Sequence, residues 1–321
     1  MYCLGIESTA HTFGAAVVEG KNVLSNAKAT YTTEAGGMLP QEVAKHHVEG
    51  FDSVIYKALS EAGISAKDIG LISFSQGPGL GHCLRVGAIA ARALAGRLGC
   101  PLIGVNHCIA HLEIGQMLFD SKDPVLLYAS GANTQVIAYE GGRYRIFGET
   151  LDIGIGNFLD SVARAMGEGF PGGPRISELA QSGNYVELPY VVKGMDVSFG
   201  GLLTNVTQKL SKYKKEDLAY SVQETAFAML VEVSERALAH TEKKELILGG
   251  GVACNPRLQE MARMMCDARS VKCHVPENEF LVDNAAMIAW LGLLEYSNGC
   301  RTEDTRIRPY ERTDEVYVYW R

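Results

Sequence analysis

The sequence predicts an α/β protein built from two similar halves with a cleft between them. The same layout of strand, small polar turn and strand occurs at 3–18 and again at 124–139. Each of these hairpins is followed by apolar patterns typical of helices and of buried strands. A repeated layout indicates an internal duplication. The chain has 321 residues, of which 47% are hydrophobic and 21% charged, so it holds enough material for about two globular domains.

Composition and charge exclude several classes of protein. No apolar run reaches the roughly 18 residues that span a bilayer, and the N-terminus does not resemble a signal peptide, so we expect a soluble, cytoplasmic protein without a membrane partner. The eight cysteines contain no C-x-x-C pair, which argues against a zinc knuckle or a disulfide framework. A formal net charge of −7 argues against a protein that grips nucleic acid alone over a broad surface.

The repeat also predicts the domain organisation. We assign residues 1–123 to an N-terminal half and residues 124–299 to a C-terminal half. Residues 300–321 form a peripheral tail, which we expect to pack back on the N-terminal half.

The N-terminal half opens with a hairpin whose turn is rich in hydroxyl side chains. Such a turn can present backbone N–H groups to phosphate oxygens, although an ordinary hairpin has the same pattern. The pattern then predicts a helix over 39–62, a buried strand over 71–75 and an Ala-rich helix over 83–98. The glycine-rich loop 76–81 is either an anion cradle at a helix start or a tight packing turn.

Histidine pairs are the candidates for a metal site. Asn106 is a good N-cap for a helix that begins at His107. Because His107 and His111 are four residues apart on one helix face, their ring nitrogens can converge on one metal ion, although packing and hydrogen bonding explain many such pairs. His46 and His47 are adjacent and point to different faces, so we expect at least one of them to be structural. Two ligands hold a metal poorly, so another part of the chain must complete the site.

The C-terminal half repeats the hairpin and adds a third strand after Gly141-Gly142. Residues 151–160 lead into a helix. Asp152 and Asp160 could meet a ribose or a magnesium ion there, though a capping role is the simpler explanation. The segment 170–174 forms a stiff turn before a short helix, and its glycines would let a ligand approach the backbone.

Three consecutive glycines, 249–251, predict a nucleotide contact. A long helix over 221–240 and a strand over 245–248 precede them, and a helix follows immediately. Glycines in that position are hard to explain by packing alone. The four lysines between 209 and 215 are most simply a solvated surface.

Asp283 is a candidate for the missing metal ligand. Residues 280–290 are predicted to form a buried helix with acidic and amide groups in its first turn. Asp283 could cap this helix. A carboxylate is also the ligand that the histidine pair lacks.

Nine motifs, spread over nearly the whole chain, resemble those of the tRNA threonylcarbamoyladenosine synthases. The chain is most similar to the archaeal and eukaryotic catalytic subunit of the KEOPS complex. The motifs, in chain order, are G-I-E-S-T-A-H-T-F-G from Gly5, S-Q-G-P-G-L-G from Ser75, L-R-V-G from Leu84, N-H-C-I-A-H from Asn106, Y-A-S-G-A-N-T from Tyr128, D-I-G-I-G-N-F-L-D from Asp152, F-P-G-G-P from Phe170, G-G-G-V-A-C-N from Gly249 and D-N-A-A-M-I-A from Asp283.

The resemblance implies a fold and a set of site residues. The fold is the actin, sugar-kinase and Hsp70-like (ASKHA) fold, with two duplicated α/β halves around a nucleotide cleft. The cleft would hold threonylcarbamoyl-AMP or an ATP or ADP analogue. The implied metal ligands are His107, His111 and Asp283, with Tyr128 as an additional candidate. The residues implied to contact the substrate nucleotide are Tyr128, Ala129, Ser130, Gly131, Ala132, Asp160, Gly173, Ser177 and Asn255.

Two positions depart from the pattern of the family. Ser177 stands where archaeal relatives often carry a glutamate, and Glu178 follows it. This difference puts the ribose contact from that helix in doubt. His82 stands where relatives commonly carry proline, which alters the loop before the Ala-rich helix.

The resemblance also implies a reaction. A threonylcarbamoyl group passes from threonylcarbamoyl-AMP to the exocyclic amine of the adenine 3′ of a tRNA anticodon, and AMP is released. One divalent metal ion, iron or zinc, or magnesium shared with the nucleotide phosphates, would stabilise the charge that develops. No residue of the matched set is an obvious general base. The implied partners are tRNA and the other KEOPS subunits, which are a small atypical kinase and small accessory proteins.

Two other functions fit parts of the sequence. The histidine pair is compatible with a metalloprotease, but zincins carry a glutamate beside the first histidine, H-E-x-x-H, and Cys108 stands there. A small-molecule kinase or a nucleotide-dependent regulatory protein could use the same fold, because fold does not determine function.

Overall fold

The computed structural model describes residues 1–34, 38–302 and 304–321. Glu303, in the predicted tail, and residues 35–37, in the predicted N-terminal half, lie outside the described residues. The first sheet has the strand order β3-β2-β1-β4-β5, in which β4 is parallel to β1 and β5, while β2 is antiparallel to β1 and β3. Its strands are β1 (Tyr2–Glu7), β2 (Thr12–Glu19), β3 (Asn22–Thr30), β4 (Ile69–Gly77) and β5 (Leu102–Asn106).

Three α-helices lie within the described residues of the first half of the chain. They are α1 (Pro40–Glu61), α2 (Gly81–Leu98) and α3 (His107–Phe119). Buried residues of α1 and α2, such as Val54 and Ala91, share one core with β1, β2 and β4. On α1, His47 is buried and bonds through Nε2 to the carbonyl oxygen of Ala10 at 2.9 Å, which is a structural role.

The second sheet repeats the first strand for strand. Its order is β12-β11-β6-β7-β8, with the same pattern of parallel and antiparallel pairs, which confirms the predicted duplication. A two-stranded ribbon, β9 and β10, forms its own small sheet next to the end of β8, where the amide of Leu151 donates to the carbonyl of Val197 at 2.8 Å. The strands of the second half are β6 (Val125–Ala129), β7 (Thr134–Glu140), β8 (Arg143–Glu149), β9 (Val192–Lys193), β10 (Asp196–Val197), β11 (Glu245–Gly249) and β12 (Lys272–His274).

Helices α4 to α8 pack with the second sheet into a separate core. The described helices of the second half are α4 (Ile155–Ala165), α5 (Gly172–Leu179), α6 (Gly200–Lys209), α7 (Lys215–Thr241), α8 (Pro256–Ala268), α9 (Asn278–Leu281) and α10 (Ala285–Ser297). The start predicted for α7, at residue 221, is wrong by six residues. Ser221 lies inside the helix and bonds to the carbonyl of Asp217, while Glu216 and Asp217 favour a helix N-terminus ahead of it.

A third core joins the two halves. Helices α3 and α10 lie between the sheets, and their apolar residues pack against both Leu71 of the first sheet and Leu126 of the second. Ser73 of β4 donates a hydrogen bond to the carbonyl of Ile288 at 2.8 Å. Helix α10, which we assigned by chain order to the C-terminal half, therefore packs on the first sheet.

The tail contacts both halves. Gln76, at the end of β4, donates through Nε2 to the carbonyls of Asp304 and Arg306, and its own carbonyl accepts from the amide of Arg308. Further along, Thr313 bonds to Gln135 of β7 at 3.2 Å. A β-carbon at Gly77 would lie 1.9 Å from the carbonyl oxygen of Arg308, so the glycine-rich loop packs against the tail.

Two backbone amides of the glycine-rich loop donate hydrogen bonds to neighbouring segments. Gly79 donates to the carbonyl of Pro309 at 3.2 Å, and Leu80 donates to that of Thr9 at 2.7 Å. These contacts favour the packing turn over the anion cradle. Elsewhere, four of the eight cysteines are buried and four are half-buried, and all are unpaired thiols. Among the described residues, no helix has the length and apolar character that crossing a bilayer requires.

Glu295, near the end of α10, gives a testable pH dependence. Burial raises its pKa from 4.5 to about 8. Between these two pH values the folded chain keeps a proton on Glu295 that the unfolded chain releases. Its contribution to stability is therefore complete below pH 4.5 and is lost as the pH rises through about 8. We expect Glu295→Gln to raise the Tm by several degrees near pH 9 and to change it little near pH 5, as measured by thermal unfolding.

The exposed Glu49 on α1 provides the control for this prediction. Glu49→Gln should leave the Tm nearly unchanged at both pH values. An equal change of Tm for Glu295→Gln at low and high pH would show that Glu295 does not keep its proton in the folded state.

Candidate functional site

The junction of β5 and α3 positions the two histidines. Asn106 ends the strand, and its Oδ1 accepts from the amides of Cys108 and Ile109 at 3.0 and 3.2 Å, which is the predicted N-cap. His107 is the first residue of the helix and His111 lies one turn further along. Their ring centroids are 4.9 Å apart and both side chains are buried.

Asp283 approaches this pair from a break between α9 and α10. Its Oδ1 lies 3.3 Å from Nε2 of His107 and 3.5 Å from Nε2 of His111. One ligand atom from each of the three residues can be chosen so that all lie within 4.8 Å of one another. The side chain of Asn284, not of Asp283, caps α10 by accepting from the amide of Met287. Asp283 is therefore free of the capping role that the sequence left open.

Glu7 is a functional candidate that the sequence analysis missed. It ends β1, is fully buried, and its Oε2 lies 3.0 Å from Nδ1 of His107. Its other oxygen accepts from the amide of Thr9 at 2.6 Å and from the Thr9 hydroxyl at 2.5 Å. The contact fixes the orientation of the His107 ring and leaves Nε2 facing Asp283. The sequence feature that could have identified Glu7 is an acidic residue at the end of an otherwise apolar strand.

The electrostatics of the cluster follow from these contacts. Burial opposes a charged imidazole, but the Glu7 and Asp283 carboxylates raise the pKa of His107 well above its usual value. Burial would raise the pKa of Asp283, and the two histidines instead hold it well below its usual value. Burial lowers the pKa of His111, so this ring favours the neutral form that binds metals.

The His111 ring has no hydrogen bond of its own. At 3.5 Å its Nε2 faces Asp283 without the geometry of a hydrogen bond, and across the described parts of the chain neither of its buried nitrogens has a partner. Buried polar atoms are rarely left unpaired. Two imidazoles and a carboxylate at the same point therefore fit a metal ion.

Tyr128, at the end of β6, packs beside the cluster. Its ring centroid lies 5.0 Å from that of His111 and 6.4 Å from that of His107. The side chain is buried. These contacts place an aromatic wall against the histidines, and ligation through the phenol oxygen stays a prediction.

The backbone amides of the two hairpin turns differ in their hydrogen bonds. In the first turn (residues 8–11), Ser8 donates to Ser75 Oγ and Thr9 donates to Glu7. In the second turn (residues 130–133), the amides of Gly131 and Ala132 have no hydrogen-bond partner in the described chain, and both residues are exposed. The free amides of the second turn can bind an anion through the backbone.

The second turn lies beside the metal-ligand candidates. Asn133 Nδ2 is 3.6 Å from Sγ of Cys108, which is next to His107 in the chain. The carbonyls of Ser130 and Gly131 accept from the amides of Gly156 and Asn157 in α4. Ala129, which precedes the turn, is buried.

Asp160, Gly173 and Ser177 meet where α4 and α5 pack together. The Oδ1 atom of Asp160 accepts from the amide of Gly172 at 2.7 Å, and burial raises the pKa of this carboxyl. A β-carbon at Gly173 would meet no atom of the described residues within 4 Å, so none of them fills this side of the backbone. Ser177 is half-buried on α5. Contact of these residues with a nucleotide stays a prediction.

Contacts within the fold account for part of the glycine run and for the hydrogen bonds of the Asn255 side chain. Gly250 has a φ of 88°, and a β-carbon there would lie 2.4 Å from the carbonyl oxygen of Ala129. Asn255 caps α8 by accepting from the amide of Arg257, and its Nδ2 donates to Gln223. At Gly251 a β-carbon would meet nothing closer than 4.0 Å, so only this glycine leaves open space.

Asp152 lies outside this group. It accepts from the Ser198 hydroxyl and from the amides of Phe199 and Gly200 at the start of α6. Despite partial burial, these hydrogen bonds lower its pKa to about 2. Asp152 therefore has the structural role that the sequence left open.

Glu7→Gln tests whether this carboxylate supports the metal ligands. The amide keeps the shape of the side chain but removes the negative charge beside His107. We expect the affinity for zinc to fall about 10- to 100-fold, the usual effect of losing a partner of a metal-binding histidine. Metal titration of the purified chain measures it. Glu19→Gln, at the half-buried end of β2, is the control, and equal affinities of the two variants would exclude a supporting role for Glu7.

Comparison with known proteins identifies relatives over the whole chain. The model of the TsaD family, described as tRNA N6-adenosine threonylcarbamoyltransferase, matches residues 22–290. A protein of that name from Thermococcus kodakarensis is 58% identical over 325 aligned positions, and the alignment covers all of both chains. A probable bifunctional tRNA threonylcarbamoyladenosine biosynthesis protein from Methanosarcina barkeri is 54% identical over 99% of this chain and 60% of its own length.

Solved structures with low sequence identity show the fold. Full-length HypF in its phosphate- and nucleotide-bound form superposes with a TM-score of 0.63 at 10% identity, covering 92% of this chain and 46% of HypF. The activator of 2-hydroxyisocaproyl-CoA dehydratase from Clostridium difficile with bound ADPNP gives a TM-score of 0.56 at 11% identity, over 95% of this chain and 100% of that one. Together with the two repeated sheets, these likenesses confirm the ASKHA fold.

Proposed function

The chain belongs to the tRNA N6-adenosine threonylcarbamoyltransferase family, and from this premise we propose how its residues carry out the transfer. The enzyme attaches a threonylcarbamoyl group to N6 of an adenosine in tRNA. We propose threonylcarbamoyl-AMP as the donor and the adenine 3′ of the anticodon as the acceptor. The amine nitrogen forms a bond to the carbamoyl carbon and gives up one proton to solvent, the bond from that carbon to the phosphate oxygen breaks, and AMP leaves as an anion.

His107, His111 and Asp283 would hold one divalent metal ion. The unpaired nitrogens of His111 support this assignment, as does the 3.3 Å approach of Asp283 to His107. Two imidazoles and a carboxylate suit iron or zinc, and magnesium shared with the nucleotide phosphates is the alternative. When bound, the ion supplies Lewis-acid stabilisation of negative charge on the donor. Tyr128 is an additional ligand candidate.

The adenylate would lie along the carboxyl end of β6. The free amides of Gly131 and Ala132 can donate hydrogen bonds to the phosphate oxygens, and the hydroxyl of Ser130 lies in the same turn. Asp160 and the open backbone at Gly173 would meet the ribose or base, with Ser177 on the same helix. Asn255 would act through its backbone or through the loop it caps, because its side-chain atoms are already bonded.

The protein prepares the site in advance of the chemistry. Glu7 orients His107, and the N-cap at Asn106 fixes the first turn of α3, so the ligand atoms need no rearrangement. Preorganised groups of this kind stabilise developing charge without the cost of reorientation. AMP departs as an anion, so the leaving group needs no general acid, and the proton that the amine loses passes to solvent.

We propose that the enzyme works in the cytoplasm with partner subunits. A net charge of −7 supports joint binding of tRNA with other chains. The candidates are the small atypical kinase and the small accessory proteins of the KEOPS complex. The printed name of the Methanosarcina barkeri relative, a probable bifunctional tRNA threonylcarbamoyladenosine biosynthesis protein, supports a link to a second activity of the same pathway.

The convergence of two buried imidazoles and a half-buried carboxylate beside a turn with free amides carries this proposal. The test is a transfer assay with the purified chain, its partner subunits, threonylcarbamoyl-AMP and unmodified tRNA. The tRNA is digested and its nucleosides are weighed by mass spectrometry. We expect threonylcarbamoyladenosine with metal and none after chelation. Transfer that continues in metal-free enzyme would refute the metal-assisted route.

A further inference from the structure

The two halves touch at a second place, away from the layer formed by α3 and α10. Thr33 follows β3 in the first half, and Phe170 precedes α5 in the second half. The amide of Thr33 donates to the carbonyl of Phe170 at 3.0 Å, and the amide of Phe170 donates to the carbonyl of Thr33 at 3.1 Å. We call this pair of hydrogen bonds the Thr33–Phe170 bridge.

Close packing at Gly169 permits the bridge. A β-carbon at Gly169 would lie 2.4 Å from the carbonyl oxygen of Glu34 and 2.5 Å from that of Thr33. The atoms in the way are backbone, which cannot move aside as a flexible side chain can. Any side chain at position 169 would therefore push the two segments apart.

The bridge is tied to the first turn. Tyr31 donates its amide to the carbonyl of His11 at 2.9 Å. The ring of His11 packs edge-on against that of Phe170, with centroids 5.3 Å apart. The first turn is the segment in which Glu7 and Thr9 hold His107. The first turn thus connects the metal-ligand cluster, through His11, to Phe170.

The bridge is also tied to the nucleotide side of the site. Gly172, two residues after Phe170, donates its amide to Asp160. Residues from the two halves therefore meet at Phe170, between the metal-ligand cluster and the predicted nucleotide contacts.

We propose that the Thr33–Phe170 bridge sets the spacing between these two parts of the site and must open for AMP to leave. Thr33 and Gly169 are then positioning residues for the transfer, because they touch no substrate and act through the backbone of Phe170 and Gly172. This inference rests on the proposed nucleotide site. It assigns the closing of that site to the Thr33–Phe170 bridge.

Two pairs of variants separate the bridge from general stability. Thr33→Pro removes the donor N–H at position 33, whereas Thr33→Val keeps it and loses only a hydroxyl that has no hydrogen-bond partner within the described residues. Gly169→Ala places a β-carbon against the opposing backbone. Gly201→Ala, on α6 in the same half, adds the same atom where nothing lies within 4 Å.

The experiment uses the full chain with AMP and a fluorescent AMP analogue. Hydrogen exchange reports opening at residues 31–34 and 168–170, and stopped-flow displacement gives the dissociation rate of the analogue. We expect Thr33→Pro and Gly169→Ala to speed both exchange at the bridge and dissociation by about tenfold, the size expected from losing one or two backbone hydrogen bonds. Thr33→Val and Gly201→Ala should behave as the wild type.

Two results would overturn the inference. One is unchanged exchange at the bridge in both test variants, and the other is faster exchange with unchanged dissociation. A bridge that served only the fold would lower the Tm of the test variants without altering AMP release. Failure of the wild-type chain to bind AMP would refute the proposed nucleotide site as well, and would be seen before any variant is compared.

Discussion

Alanine at both His107 and His111 should abolish threonylcarbamoyl transfer while the chain stays folded. The two imidazoles supply two of the three donors that converge in the site, and Asp283 alone cannot hold a metal ion. Loss of Lewis-acid stabilisation worth several kcal/mol corresponds to at least about a thousandfold loss of rate. The transfer assay measures the rate, and elemental analysis measures the metal content of the same samples.

The fold should survive because the cluster adds little to the apolar core. His111 makes no hydrogen bond in the described structure, and Glu7 keeps both bonds to Thr9 when His107 is removed. Circular dichroism and the Tm check this point. His240→Ala, on the exposed side of α7, is the matched control and should retain both metal and activity. Full transfer by the double variant would show that the histidines are not needed for the reaction.

Alanine at Gly250 should destabilise the protein by on the order of 3 kcal/mol. The residue has a φ of 88°, which alanine adopts only with strain, and its β-carbon would lie 2.4 Å from the carbonyl oxygen of Ala129. Relief of this clash must move either the glycine loop or the end of β6. Because the second turn begins there, binding of AMP should be lost together with several degrees of Tm. Thermal unfolding and AMP titration of one preparation measure both effects.

Gly251→Ala is the matched variant. Its β-carbon would meet only Val282, at 4.0 Å, so the Tm should remain near that of the wild type. If a nucleotide approaches the backbone at this position, the affinity for AMP should fall without any loss of stability. Equal AMP affinity of Gly251→Ala and the wild type would mean that packing alone explains the glycine run.

Local sequence patterns predicted the elements that depend on neighbours in the chain. The N-cap at Asn106 and the spacing of His107 and His111 both arise within a single helix, and the repeated hairpin predicted the shared topology of the two sheets. The break before α10 was missed. An apolar run across 280–290 reads as one helix, but the chain is extended at Asn284, whose side chain caps α10 and leaves Asp283 between two helices.

Contacts between distant residues could not be predicted in this way. Glu7 and His107 are 100 positions apart, and only the packing of α3 at the end of β1 brings them together. The tight fit of Gly250 against Ala129 likewise depends on the pairing of β11 with β6. For the same reason the glycine run looked like a ligand site, although neighbouring backbone accounts for Gly250.

The position of α10 has a consequence for synthesis of the chain on the ribosome. The apolar face that β1 and β4 turn toward α10 cannot be covered until residues 285–297 have been made, although those strands emerge in the first quarter of translation. The first sheet therefore stays partly uncovered until the whole second sheet and α10 have been synthesised. Nascent chains stopped before residue 285 should expose this face to chaperones and proteases, whereas chains that include α10 should protect it.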